Sequence, residues 1–430
     1  MKTGMAVLTI FVAASLRAAG PDTVLLRGAT VHPVSGPDIA DGSVLVRDGK
    51  IAEVGARIAV PKGARIVELK GLHIYPGMID SDTAIGLTEI EAVREMSDLS
   101  DIGLFKPQLR AATAVNPASE HIPVTRANGI TSVITSPGGG IVAGQSVLMH
   151  LNGWTMEDMA VRAPAAMRME FPRIRAPNRF GDSDAPQTPG RASAYTEAKK
   201  RYEQQLRELN DFMESARRYR QAKAAAGPDF KTDLKLEAMI PVLDGKLPML
   251  IRAEKEKTIK EAIAFADKQK VHMILERGVE AWKVAAELKA HNIPVILPPT
   301  FRLPDEEDDP YDKPFSIPGE LWKAGVKFAF ASFGPGAEDN PRNVPYEAAA
   351  AVGFGLPQEE ALKAVTLYAA QIWGVGDEIG SIDKGKWADL IVTDGDPLET
   401  RTQIKQMFIK GAPVDLENKH QRLYEKYLAR

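Results

Sequence analysis

The residues best suited to chemistry stand at the ends of short apolar runs. Leu247–Ile251 runs into Arg252 and Glu254, and Met273–Leu275 runs into Glu276 and Arg277. Alternate residues of a strand share a face, so Arg252 and Glu254 would emerge together at one end. An arginine among carboxylates can fill space as a structural cation, clasp a carboxylate ligand through paired N–H donors, or help set the pKa of a neighbouring carboxyl for acid–base work. The expectation follows that order. A second candidate follows the strand-like ITSVITSP: Gly138, Gly139 and Gly140, then Gln145 and Ser146. Consecutive glycines let backbone N–H groups approach a ligand, although turn geometry alone would account for them as well.

What is missing is as informative. The chain has no cysteine, which excludes disulfides, thiolate zinc sites and cysteine nucleophiles. A metal would need His, Asp, Glu or a modified Lys. Only seven histidines exist, and none forms a His-x-His pair. His272 opens its run and reads as a core or lower-face residue, and His150 as a packed histidine near a turn. None is assigned a ligand role.

Two β-rich ends frame these segments. Residues 25–69 alternate apolar and polar side chains, with a hairpin dipeptide at Asp48-Gly49, and ADLIVTDGDP and QMFIKGAPV repeat the pattern near the other end. The ends are therefore expected to meet in one small β-sandwich, from residues 21–75 and 381–430. Between them strands and helices alternate over 76–380, the pattern of parallel βα units. Without a Gly-rich dinucleotide fingerprint after the first strand, a (β/α)8 TIM-like barrel fits this α/β middle better than an open sheet. Residues 196–226 form a long, charged helical insertion, read as a solvated helix, with a lid over the barrel as the alternative. The segment before it, 177–190, reads as a loop. The acidic stretch 305–310 reads as a solvated loop.

The 430 residues are 44% hydrophobic and 26% charged, with net charge −3. This composition is that of a soluble globular chain and gives no footprint for nucleic acid or an electrostatic membrane partner. Lys2, the apolar run Met5–Leu16 and the small residues Ala18-Ala19-Gly20 have the three-part pattern of a signal peptide over residues 1–20. That predicts a periplasmic or extracellular mature protein without a stable membrane anchor.

Three stretches together give a resemblance. GSVLVRDGKIAEVG (residues 42–55), YPGMID (75–80) and EIGSIDKGKWADLIVTDGDP (378–397) resemble, in order and spacing, the opening hairpin, first barrel strand and closing segment of the amidohydrolase superfamily, especially its imidazolonepropionase-like and dihydroorotase-like branches. The resemblance implies a metal-dependent barrel that hydrolyses amide, lactam or related C–N bonds, with zinc or another divalent ion.

It also implies where the ion would bind, and there the sequence departs. The family's His-x-His corresponds to Asp82 and Ala84, a later histidine to Arg252, and the aspartate base to Phe333, or to Ser332 with a shift of one. Alanine has no donor atom, and arginine offers only N–H donors. Glu276 and Glu254 are the remaining carboxylates for the mouth. The expectation is therefore a hydrolase by kinship with no bound cofactor. Its alternative is an inactive relative that binds a small molecule or peptide, pairs with itself, or partners an active paralogue.

Overall fold

The structure is a computed structural model that describes residues 23–90, 92–174, 191–227, 229–333 and 340–430. The segments read as a signal peptide and as the loop 177–190 lie outside the described residues.

The chain ends build one eight-stranded sheet. From the N-terminal side come β1 (Thr23–Val31), β2 (Ile39–Arg47), β3 (Lys50–Gly55), β4 (Arg65–Glu68) and β5 (His73–Pro76). Asp48 and Gly49 turn β2 into β3 with φ of 50° and 78°, as that dipeptide predicts.

The chain then enters a barrel of eight strands. In order these are β6 (Met78–Thr83), β7 (Ile130–Thr135), β8 (Val142–His150), β9 (Ala160–Glu170), β10 (Met249–Ala253), β11 (Met273–Arg277), β12 (Val295–Leu297) and β13 (Phe328–Phe330). It returns to the first sheet through β14 (Leu390–Thr393), β15 (Ile404–Ile409) and β16 (Ala412–Val414). There β14 pairs antiparallel with β5, and Trp387 bridges Lys50, so the two ends meet as expected.

In the barrel each strand pairs with the next in sequence, and β8 alone runs antiparallel to its neighbours. The link between β7 and β8 spans only residues 136–141, too short for the crossover that parallel strands require, so the chain doubles back. Helices return between the later strands. Glu256–Gln269, for example, buries Ile259, Ile263 and Phe265 on one side and stops where Lys270 turns left-handed at φ 52°.

The barrel interior is a ring to which every strand contributes: Ile79, Ile134, Leu148, Ala166, Leu250, Ile274, Ile296 and Ala329. Trp373, Val375 and Ile379 join the same cluster. Each fully buried aliphatic side chain stabilises by about 2 kcal/mol, so the ring is a packed plug and not a pore. Strand periodicity then puts Ser136, Ser146, Arg168, Arg252, Glu276 and Ala331 in the next layer towards the mouth.

The long insertion is one helix, Arg191–Ala225. It lies along the barrel flank: Tyr219 donates to Glu237, Tyr202 to Glu261, and Arg217 to the Gln269 carbonyl. Its N-terminal part, at Ala198, Arg201 and Tyr202, borders a cleft with Gly139, Gly140 and Arg173.

Candidate binding site at the barrel mouth

The centre of the mouth is a buried arginine. Arg168, on β9, is 4% exposed and makes a two-pronged pair with Glu276 of β11, at 3.0 and 2.6 Å. Its third nitrogen donates to the Pro137 carbonyl at 3.0 Å, and its Nη2 lies 3.7 Å from Asp82. The Phe333 ring covers it, 4.6 Å from guanidinium carbon to ring centroid. Burial opposes the Arg168 charge, but the Glu276 and Asp82 carboxylates outweigh it and hold its pKa above the ordinary arginine value.

One guanidinium cannot neutralise two buried carboxylates. Glu276 takes the fork, while Asp82 Oδ1 accepts no hydrogen bond among the described residues. Burial, opposed by Arg168 and reinforced by Glu276, raises the Asp82 pKa to about 7. Asp80 lies beside it, also buried. Its carboxylate accepts from the Ser332 backbone N–H at 3.0 Å and the Ser332 hydroxyl at 2.5 Å. Burial, only partly offset by these bonds, raises Asp80 to about 7 as well. With the Phe333 N–H donating to the Asp82 carbonyl at 3.0 Å, these bonds tie the segment after β13 to β6 where no strand ladder closes the barrel.

An outer cluster surrounds Glu254. Arg252 Nη2 lies 3.2 Å and Arg277 Nη1 3.4 Å from its carboxylate, and Arg173 pairs with the other oxygen. Burial opposes ionisation of Glu254, but Arg173, Arg252 and Arg277 outweigh it and lower its pKa. Arg277 holds a left-handed backbone, φ 73°, which is costly for a side chain of its size. Three cations thus crowd Glu254, with Arg173 also 3.7 Å from Glu170, beside a cavity of about 560 Å³ lined by Arg173, Arg252, Arg277, Arg302 and Ser332 among others.

The expected mouth residues divide clearly. Asp82, Glu276, Ser332 and Phe333 form the inner cluster, and Arg252 and Glu254 the outer one. Ala84 is buried just past the end of β6, where its carbonyl caps the turn to Leu87. The central cation is Arg168 and not Arg252, a correction to the sequence reading. Its place follows from β9, a strand that composition alone did not announce. The available signal was Arg168 and Glu170 at alternate positions of AMRMEF.

The glycine loop is largely taken up by the fold. The Gly138 N–H donates to the Leu99 carbonyl, and Lys106 donates to the Gly138 carbonyl. A side chain at Gly140, φ 76°, would meet the Gly103 carbonyl oxygen at 2.7 Å, so this glycine serves a close backbone approach. Gln145 donates to the Pro107 carbonyl, and Ser146 to the Ser136 hydroxyl. Gly139 and Gly140 border a cleft. His150 is packed as expected and pairs with Asp389 at 2.7 Å, while His272 stands exposed at the opposite barrel end.

A divalent ion does not fit this arrangement. The guanidinium projects between Asp82 and Glu276, its charge would repel the ion, and neither Ala84 nor the Phe333 side chain supplies a donor. Among the described residues no group of three His, Asp or Glu side chains is placed to hold a metal.

Comparison with known proteins places the chain among relatives of one kind. The model of the amidohydrolase family matches residues 74–415. Amidohydrolase tasK of Hapsidospora irregularis is 25% identical over 89% of this chain, which spans 41% of that protein's length. The imidazolonepropionase of Thermoanaerobacter pseudethanolicus is 24% identical over 83% of this chain and 85% of its own. The crystal structure of an amidohydrolase from Thermotoga maritima MSB8 superposes with a TM-score of 0.78 at 28% identity, covering 91% of this chain and 99% of that one.

Proposed function

Because the chain belongs to the amidohydrolase family of hydrolases, we propose that it takes that family's class of small molecule, with a non-peptide amide- or lactam-type C–N bond, and holds it without metal-assisted hydrolysis. A carboxylate on the molecule would dock on Arg252, Arg173 and Arg277, which crowd around Glu254, with Glu170 a further partner of Arg173 at 3.7 Å. Imidazolonepropionases by their name act on a propionate, which agrees in kind. The observation that carries the reading is Arg168, whose fork to Glu276 stands where a metal would need carboxylate lone pairs.

The test is metal analysis of chelator-free protein together with calorimetric titration of N-acetyl-L-glutamate. The expected result is well under one metal equivalent per chain and binding that weakens about tenfold or more in Arg252→Ala. Stoichiometric zinc, with a hydrolytic activity lost in Asp82→Ala, would overturn it.

A second reading keeps turnover without metal. Ser332 lines the mouth cavity and donates to an Asp80 carboxyl whose pKa of about 7 suits a general base. Hydrolysis that survives chelation and disappears in Ser332→Ala would favour it.

Export remains part of the proposal, on the pattern of Lys2, Met5–Leu16 and Ala18-Ala19-Gly20. N-terminal sequencing of protein from the native host should find about the first 20 residues removed. A chain beginning at Met1 in the cytosol would refute it.

A further inference from the structure

We propose that the end of the barrel opposite the mouth holds a second site, for a small, multiply charged oxyanion. A cavity of about 560 Å³ opens there, lined by the residues that precede four neighbouring parallel strands: Pro248, His272, Pro294 and Lys327. Its cations are Arg162, Lys246, Lys289 and Lys327, and none of these makes an ion pair among the described residues. Among the described residues the one lining carboxylate is Asp267, which pairs with His291 at 3.2 Å. The cavity therefore carries a strong excess of positive charge in a chain whose overall charge is −3.

The cations are held in place by the fold. Arg162 donates to the carbonyls of Trp373 and Gly374 at 3.1 and 2.9 Å. Gly374, φ 70°, leaves the room it needs, because a Cβ there would come within 2.4 Å of its Nη1. Lys289 lies against Gly325 in the same way, 3.3 Å from the position of a Cβ. Burial and then the like charge of Lys289 lower the Lys327 pKa, so the two ammonium groups sense each other without an intervening anion.

Trp373 supplies an independent observation. It lines the cavity and is 2% exposed, yet its Nε1–H has no acceptor among the described residues. A buried indole donor without a partner is costly. Lys327 donates to the Gln371 side-chain oxygen at 2.7 Å, a neutral acceptor that leaves its charge uncompensated, and the cations gathered beside one carboxylate select an oxyanion.

Inorganic pyrophosphate is the probe, titrated into the full mature chain at 0.15 M salt by calorimetry and tryptophan fluorescence, with citrate in parallel. Saturable binding near one equivalent is expected, weakened at least tenfold in Lys289→Ala/Lys327→Ala and unchanged in Arg252→Ala. Both lysines are exposed, so the variant should fold, and its circular dichroism checks this. Preference for pyrophosphate over citrate would identify a phosphate-bearing ligand, and the reverse a polycarboxylate; either supports the site. No saturable binding of either anion, equal binding by the double-lysine variant, or binding lost with Arg252 would overturn it. The last outcome would assign the anion to the mouth and leave the mouth proposal standing.

Discussion

Arg168 and Phe333 stack in the barrel mouth, the guanidinium carbon 4.6 Å from the ring centroid. The aromatic face attracts the cation and shields it from water, while Glu276 supplies its charge partner. Each departure from the family pattern makes sense of the other. A positive group fills the centre, so Phe333, which the resemblance sets at the position of an acidic base, can be an apolar aromatic. In this arrangement the guanidinium supplies the positive charge that Glu276 and Asp82 face.

The first prediction tests that balance. Arg168→Met leaves Glu276 buried without its partner and should destabilise the fold by about 3–5 kcal/mol. Arg168→Met combined with Glu276→Leu should recover much of the loss, because both charges are gone. Urea denaturation of the single and double variants measures this. Equal stability of Arg168→Met and the parent protein would show that the pair does not hold the mouth.

The second prediction concerns pH. Asp80 and Asp82 have folded-state pKa values of about 7, above the ordinary value of 3.8. Between those limits the folded state binds protons that the unfolded state has released. Their contribution is therefore full below about pH 4 and is lost as pH rises through about 7, on the order of a few kcal/mol for each group. Asp80→Asn should flatten this part of the stability–pH profile. A slope unchanged in that variant would contradict the assignment.

Rebuilding the metal centre makes a third test. Asp82→His, Ala84→His, Arg252→His and Phe333→Asp restore the family's residue types but leave Arg168 in the middle. That quadruple variant should bind zinc poorly, and adding Arg168→Met should raise the bound metal severalfold, as read by elemental analysis. Full zinc occupancy with Arg168 still present would show that the arginine does not exclude the ion.

The fourth prediction lies at the junction of the two sheets. His150 of β8 pairs with Asp389, which also accepts the Lys410 backbone N–H at 2.8 Å. His150→Ala removes the partner of a buried carboxylate and should cost about 3 kcal/mol in thermal or urea unfolding. Loss of less than about 0.5 kcal/mol, the range of ordinary surface substitutions, would mean that the pair contributes little to the junction.

Much of this protein was legible along the chain. Asp48-Gly49 fixes a hairpin because left-handed turns favour those residues. The runs before Arg252, Glu276 and Ser332 read as strands because their apolar stretches are short and bounded. The resemblance pointed to Asp82, Ala84 and Phe333 as the positions where this chain would depart from the family pattern. These are local properties, written in residue type and spacing. What the chain could not disclose was which cation stands at the centre. Arg168 and Arg252 each follow an apolar run, and their sequence neighbourhoods do not rank them. The antiparallel return of β8 sets β9 beside β10, and barrel closure brings Asp82, Glu276 and Phe333 around Arg168 from distant parts of the chain. Burial then gives that guanidinium its partner and raises the neighbouring carboxyls. The sequence by itself determined the elements and the residue types available at the mouth; the tertiary structure decided which charge stands at its centre, because long-range desolvation and pairing exist only once the barrel has formed.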